Sequence, residues 1–159
     1  MIFVTVGSDT PFDRLVKVVD AWAAETGRNN IFAQIGAGAW KPKSIPFANM
    51  LTPCEFREQF MAARIIIGHA GMGTIISALH YGKPILVMPR RGHLGETRND
   101  HQMATARKLL VMGKVSVALD EAELFECLNR LGELTPKEQI SAFASEELVE
   151  ALRGFIHGT

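Results

Sequence analysis

The sequence predicts an α/β fold, a Rossmann-like open parallel sheet with helices on both faces, and three observations predict it. Short apolar runs alternate with amphipathic segments of helical period from the first residue to about residue 118. Glycine, proline or polar residues separate them, as crossover connections between parallel strands require. One junction, Ile65-Ile66-Ile67-Gly68-His69-Ala70-Gly71-Met72-Gly73-Thr74-Ile75-Ile76, runs from an apolar strand through a glycine-rich turn directly into a helix. The chain of 159 residues suits one domain, 1–159, with a full core and no room for two nucleotide-fold lobes.

Each element follows from its own pattern. Residues 1–6 read as a buried strand, and Gly7-Ser8-Asp9-Thr10-Pro11 supplies a turn, a helix cap and a proline suited to a first helical turn. Phe12, Leu15, Val16, Val19, Trp22 and Ala23 then form one apolar stripe on a helix ending near Gly27. Residues 31–35 are a second strand and 47–51 a third, and Pro53 opens a short helix through Phe56, Phe60 and Met61. Strand 65–67, helix 72–81, strand 85–88, helix 100–111 and strand 115–118 complete the alternation. Residues 120–134 and 142–157 read as two helices joined by Thr135-Pro136, the second with Leu148, Val149, Leu152, Phe155 and Ile156 on an apolar face.

Composition narrows the function. Lysine plus arginine equals aspartate plus glutamate at 17 each, so no overall field draws the chain to nucleic acid or anionic lipid. Cys54 and Cys127 have no metal-ligand spacing and read as reduced, structural thiols of a cytoplasmic protein; no run is apolar enough to span a membrane. Gly36-Ala37-Gly38-Ala39 lacks the third glycine and the helix start of a dinucleotide fingerprint. The P-loop, the nucleophile elbow and the zinc-protease helix are absent, as are closely spaced carboxylates, so neither metal nor cofactor is expected.

The loops at the carboxyl ends of the strands carry the remaining chemistry. In an open parallel sheet ligands sit there, and Gly7-Ser8, Gly68 to Thr74 and Pro89 to Asn99 all occupy that edge. Amide groups at a helix start lack intrahelical acceptors and carry the positive end of the peptide dipoles, so Gly71, Gly73 and Thr74 can hold a phosphate. Gly71 and Gly73 are expected to clear space for that ligand. Arg90 and Arg91 leave the strand end toward the same crevice, with Arg98 further along; their planar forks suit phosphate or carboxylate oxygens. Asn99 and Gln102 fit a capping pair, whereas His101 at a helix N-terminus suits a neutral group reading sugar hydroxyls. His69 reads equally as a structural histidine or a ligand contact.

Met1 to Gly7, Phe12-Asp13-Arg14-Leu15, Gly68-His69-Ala70-Gly71-Met72-Gly73-Thr74, Gly82-Lys83-Pro84, Pro89-Arg90, Gly95-Glu96 and Asp100-His101-Gln102 together resemble the glycosyltransferase family 28 C-terminal domain. The likeness runs from residue 1 to about residue 112 and is strongest to single-lobe subunits of the Alg13, PssE and EpsF types. It implies the donor-binding half of a GT-B enzyme that transfers a hexose, N-acetylhexosamine or uronic acid from UDP to a lipid-linked acceptor, with inversion. It also implies a membrane-associated acceptor-lobe subunit, Alg14-like or PssD-like, that recruits the chain to the cytoplasmic face of a membrane and supplies the general base. The apolar face of helix 142–157 suits packing on the chain's own sheet, and the likeness makes it a candidate for docking that subunit.

By the same likeness Gly7, Ser8, Gly71, Gly73 and Thr74 hold the donor diphosphate, His69, Arg90 and Glu96 join the donor site, and His101, Gln102 and Thr105 contact the sugar. Ser77 stands where two-lobed relatives place an acidic residue on the ribose. The alternative is a non-catalytic nucleotide-sugar-binding regulatory module.

Overall fold

The computed structural model describes residues 1–136 apart from residues 9, 38, 39, 99, 112 and 114. The expected helix 142–157 and the Asn99 cap lie outside the described residues. Six strands, β1 (Ile2–Thr5), β2 (Ile31–Gln34), β3 (Phe47–Ala48), β4 (Ile65–His69), β5 (Ile85–Met88) and β6 (Ser116–Val117), form one sheet in the order β3-β2-β1-β4-β5-β6. Every pairing is parallel. The helices are α1 (Asp13–Thr26), α2 (Pro53–Ala62), α3 (Met72–His80), α4 (His101–Val111) and α5 (Glu121–Asn129), with short 3₁₀ turns at Gly92–Leu94 and Leu131–Glu133.

The two faces of the sheet build separate cores, because alternate strand residues point to opposite sides. Ile2, Val4, Val6, Ile67, Leu86 and Met88 pack with α1 and α5 on one face. Phe3, Ile66, Ile85 and Val87 pack with Phe60 of α2, Ile75, Ala78 and Leu79 of α3 and Ala106 of α4 on the other. All six residues of the predicted α1 stripe are buried. Gly27 ends that helix in the left-handed region at φ 65°, where its amide returns to the Ala23 carbonyl. Trp22 Nε1 donates to Asn129 Oδ1 at 2.9 Å, tying α1 to α5.

Several predicted boundaries shift for physical reasons. The third strand is two residues long: after Ala48 accepts the Ile35 amide at 3.0 Å the chain leaves the sheet edge, and Met50 and Leu51 turn to a cavity. Pro11 precedes α1 rather than opening it, and no side chain caps that helix, because Phe12, which offers no acceptor, stands at the N-cap; the Thr10 hydroxyl donates to the Glu96 carbonyl. The expected helix 120–134 is α5, capped by Asp120 accepting the Glu123 amide, followed by a 3₁₀ turn anchored by buried Leu131. Cys54 is exposed on α2, so it has no structural role in the core. Cys127 is half-buried, and burial with the nearby Glu123 charge pushes its thiol up.

Asp20 is a charged residue buried within α1. Its Oδ1 accepts the amides of Lys43, Ser44 and Ile45 at 3.1, 2.7 and 3.1 Å, which pins the crossover between β2 and β3 onto the helix.

Candidate functional site: a cleft at the switch point of the sheet

The strand order reverses direction between β1 and β4, so the loops leaving these neighbours diverge and open a crevice at their carboxyl ends. A cavity of about 550 Å³ lies there. Loop 6–8, the end of β2, the segment 50–56, the start of α3 and Arg90 line it. Gly7, Ser8, His69, Gly73, Thr74 and Arg90, which the sequence singles out on three separate loops, all line this one cavity.

Its floor is set by register. Thr5 of β1 lies opposite Gln34 of β2 and Gly68 of β4. The Thr5 hydroxyl donates to Gln34 Oε1 at 3.0 Å and accepts the Gly7 amide at 3.2 Å, which turns the chain sharply out of β1. Gly7 holds φ 78°, a conformation that disfavours a side chain. Met50, Leu51, Pro53 and Phe56 give it an apolar lining. Gly73, Thr74 and Ser77 of α3 line it as well, and the first turn of that helix starts at Gly71 without a side-chain cap. The amides of that turn thus have no acceptor within the helix. Ser77 donates its hydroxyl to the Gly73 carbonyl at 2.8 Å, the local bond of a helix interior.

The two glycines of the turn have different jobs. A Cβ on Gly73 would meet no protein atom within 4 Å, so its missing side chain leaves open space beside the cavity. A Cβ on Gly71 would lie 2.1 Å from His69 Nε2. Gly71 therefore makes room for the His69 ring rather than for a ligand, and it does not line the cavity. Gly7 likewise leaves room for the same edge of the ring, since a Cβ there would lie 2.9 Å from His69 Cε1.

The arginine loop after β5 corrects the sequence reading in part. Arg90 is 3% exposed, and its Nη2 donates to the Val6 carbonyl at 2.8 Å and to the Thr10 carbonyl, holding the first loop in place. Arg91 does not face the crevice: its Nη2 donates to the Leu119 carbonyl at 2.8 Å, beyond β6. Arg98 is exposed and does not line the cavity. Glu96, His101 and Gln102 are likewise outside the lining. The Glu96 carboxylate takes Arg14 Nε at 2.7 Å and Nη2 at 2.8 Å, and the Arg91 amide at 2.8 Å. Gln102 Oε1 accepts the Arg90 amide at 3.2 Å, His101 is exposed at the start of α4, and Thr105 is half-buried. Burial lowers the Arg14 pKa, but the hydrogen bond and charge of Glu96, with a further part from Glu121, outweigh that and raise it.

Gln34 and the apolar lining are the parts of the cavity that sequence reasoning missed. A lone polar residue ending an otherwise apolar strand was the available signal for Gln34. Among the described residues no cluster of three or more histidine, cysteine or acidic side chains is arranged to hold a metal, and no helix is long and apolar enough to cross a membrane.

Comparison with known proteins agrees with this architecture. The human UDP-N-acetylglucosamine transferase subunit ALG13 is 30% identical over 156 residues, covering 91% of this chain and 12% of its own length; the chain thus spans about an eighth of that relative. The solution structure of ALG13 superposes with a TM-score of 0.59 at 18% identity, covering 95% of this chain and 93% of the other. The crystal structure of Acinetobacter baumannii MurG gives 0.59 at 19% identity, covering 82% of this chain and 40% of the other. At those identities the superpositions establish a shared fold, that of GT-B glycosyltransferases. The model of the glycosyltransferase family 28 C-terminal domain matches residues 1–152, and the chain belongs to that family.

Proposed function

We propose that this chain is the donor-binding lobe of a UDP-sugar glycosyltransferase. The observation that carries the reading is the lining of the cavity at the switch point, which combines apolar side chains with the start of a helix. Met50, Leu51, Pro53 and Phe56 offer a surface for a nucleobase. The first turn of α3, with Gly73 open beside it, offers amides to a diphosphate. Its volume of about 550 Å³ falls within the range of small-molecule sites. The Thr5 hydroxyl holds the Gln34 oxygen, which fixes the orientation of Gln34 in the lining.

In this reading the sugar leaves UDP by direct displacement with inversion, and negative charge grows on the β-phosphate as the glycosidic bond breaks. The amides at Gly73 and Thr74 stabilise that charge more than the ground state, which is what accelerates the step. Gly7 and Ser8 close the diphosphate from the first loop, and His69 stands between the two turns. His101 and Thr105 reach the sugar from α4, while Glu96 and Gln102 support the loop that carries Arg90. The acceptor hydroxyl of a lipid-linked saccharide, and the base that deprotonates it, come from a membrane-associated partner subunit.

Titration calorimetry with UDP and amide-shift mapping test the donor site. Binding that moves the amide resonances of Gly7, Gly73 and Thr74 is expected, and so is sugar transfer from a UDP-sugar once a partner subunit and a lipid-linked acceptor are added. UDP that fails to bind, or shifts only amides far from the cavity, overturns the reading. Binding without transfer in the complete mixture favours a regulatory module.

A further inference from the structure

Arg14 and Glu96 stand 82 residues apart in sequence and outside the cavity, yet they make a bidentate side-chain pair at this edge of the sheet. Their side chains are 11% and 12% exposed. The contact is bidentate, Nε to Oε1 at 2.7 Å and Nη2 to Oε2 at 2.8 Å, which fixes orientation as well as distance. Arg14 Nη2 also donates to the Pro89 carbonyl at 3.0 Å, and Nη1 reaches Glu121 Oε2 at 3.2 Å. Glu96 in turn accepts the Arg91 amide at 2.8 Å. One guanidinium therefore holds both ends of the loop 89–96 and its neighbour α5.

That loop is joined to the first one. Arg90 donates to the carbonyls of Val6 and Thr10, and the Thr10 hydroxyl donates to the Glu96 carbonyl at 3.2 Å. Between them lie Gly7 and Ser8, which line the cavity. Neither loop belongs to a strand or an α-helix, so side-chain bonds set their relative position. A lysine cannot replace this arginine, because a single ammonium does not present a planar fork to two carboxylate oxygens and a carbonyl together.

We propose that the Arg14–Glu96 pair is a positioning clamp: it locks loop 89–96 against loop 6–10 and thereby sets the ligand affinity of the cavity without touching the ligand. The inference rests on the UDP-sugar reading above. A preordered loop saves the ordering cost that binding otherwise carries, so loosening the clamp weakens binding while leaving every lining residue in place.

The test compares UDP affinity and amide spectra of the full chain in wild type, Arg14→Ala, Arg14→Lys, Glu96→Ala, the Arg14→Ala/Glu96→Ala double variant and Trp22→Phe. Each single alanine variant should bind UDP about tenfold more weakly, and the double variant no more weakly than either single, because the two side chains act as one unit. Arg14→Lys should recover only part of the loss. Glu96→Ala should displace the amide resonances of Gly7 and Ser8 while Gly27 stays in place. Trp22→Phe removes the remote bond to Asn129 and should lower thermal stability without altering UDP affinity. Should Arg14→Ala fail to fold, Arg14→Lys and Glu96→Ala carry the same comparison.

Unchanged affinity in folded clamp variants, losses that add in the double variant, or an equal loss in Trp22→Phe would overturn the clamp while the donor site stands. Wild-type protein that binds no UDP overturns the donor site and the clamp with it.

Discussion

The contrast between Gly71 and Gly73 yields the sharpest prediction, because two glycines of one turn should respond oppositely to the same added methyl group. At Gly71 the backbone is ordinary, φ −85° and ψ 134°, so alanine there carries no conformational penalty and any cost is steric. The added Cβ would lie 2.1, 2.7 and 2.9 Å from Nε2, Cδ2 and Cε1 of His69. Carbon contacts relax at about 3.5–4.0 Å, so the ring must move by about 1.4 Å. Forced overpacking of this kind costs about 1–3 kcal/mol, and the depth of the overlap places Gly71→Ala in the upper half of that range.

At Gly73 the added Cβ meets nothing within 4 Å, and the helical position gains up to about 0.5–1 kcal/mol from alanine. Urea denaturation of both variants, read from the midpoint at constant m value, measures the difference. UDP titration should then show the reverse order for Gly73→Ala: a stable protein whose affinity falls by tenfold or more, about 1.4 kcal/mol, since the methyl enters the space the proposed diphosphate would occupy. A second substitution, His69→Ala, should relieve Gly71→Ala and leave a coupling of about 0.5–3 kcal/mol. Equal stability for Gly71→Ala and wild type would refute the packing argument. A Gly73→Ala variant that binds UDP as well as wild type would refute the ligand argument.

Two further predictions concern the supports of the fold. Asp20→Ala strips the acceptor from three amides, including that of buried Ile45, and should cost about 3 kcal/mol, with Asp20→Asn, which keeps an oxygen in place, losing about half as much; equal losses in urea denaturation would contradict this. The Thr52–Glu55 capping box is pH-dependent: the bonds from the Thr52 amide and hydroxyl hold the Glu55 carboxyl below its ordinary value. Its contribution is therefore complete above the usual glutamate value of about 4.3 and is lost as pH falls through the lower folded value. Thermal melts of wild type and Thr52→Ala should differ most at pH 6 and less well below pH 4.3, where only the bond from the Glu55 amide to the Thr52 hydroxyl still separates them, and a gap that widens with acid would show the sign to be wrong.

What could be read from the sequence was whatever depends on near neighbours. The α1 stripe was legible because one helix presents one apolar face to one sheet face, and all six of its residues are buried. The turn at residues 68–74 was legible because a strand, glycines and a helix start follow one another directly. Asp20 was not, since it sits beside the stripe like any solvent-facing acid, and only the fold of residues 43–45 over α1 buries it. The direction of Arg91 was not legible either. Residue type announces a planar cation, whereas the Leu119 carbonyl that receives it is 28 residues away. Gly71 shows the same gap in another form: the sequence assigns a missing side chain to ligand space, and the fold assigns it to an imidazole.

The arrangement of charge decides which part of the cavity governs affinity. Arg90 is committed to carbonyls of the first loop, Arg91 to Leu119 and Arg14 of α1 to Glu96, so these three cations hold the loops at this edge together. A diphosphate in this cavity then relies chiefly on backbone amides, and a helix terminus contributes about 0.3–1 kcal/mol, rising to about 2 kcal/mol where partly buried. Even a dissociation constant of 1 mM requires about 4 kcal/mol, and 1 μM requires about 8. Covering about 100 Å² of a nucleobase against Met50, Leu51, Pro53 and Phe56 adds about 2.5 kcal/mol, more than the helix end supplies. The nucleoside end is therefore the anchor in this reading. The weaker grip on the diphosphate suits a group that must gain its strongest contacts only as it departs, because interactions already complete in the ground state do not accelerate the transfer.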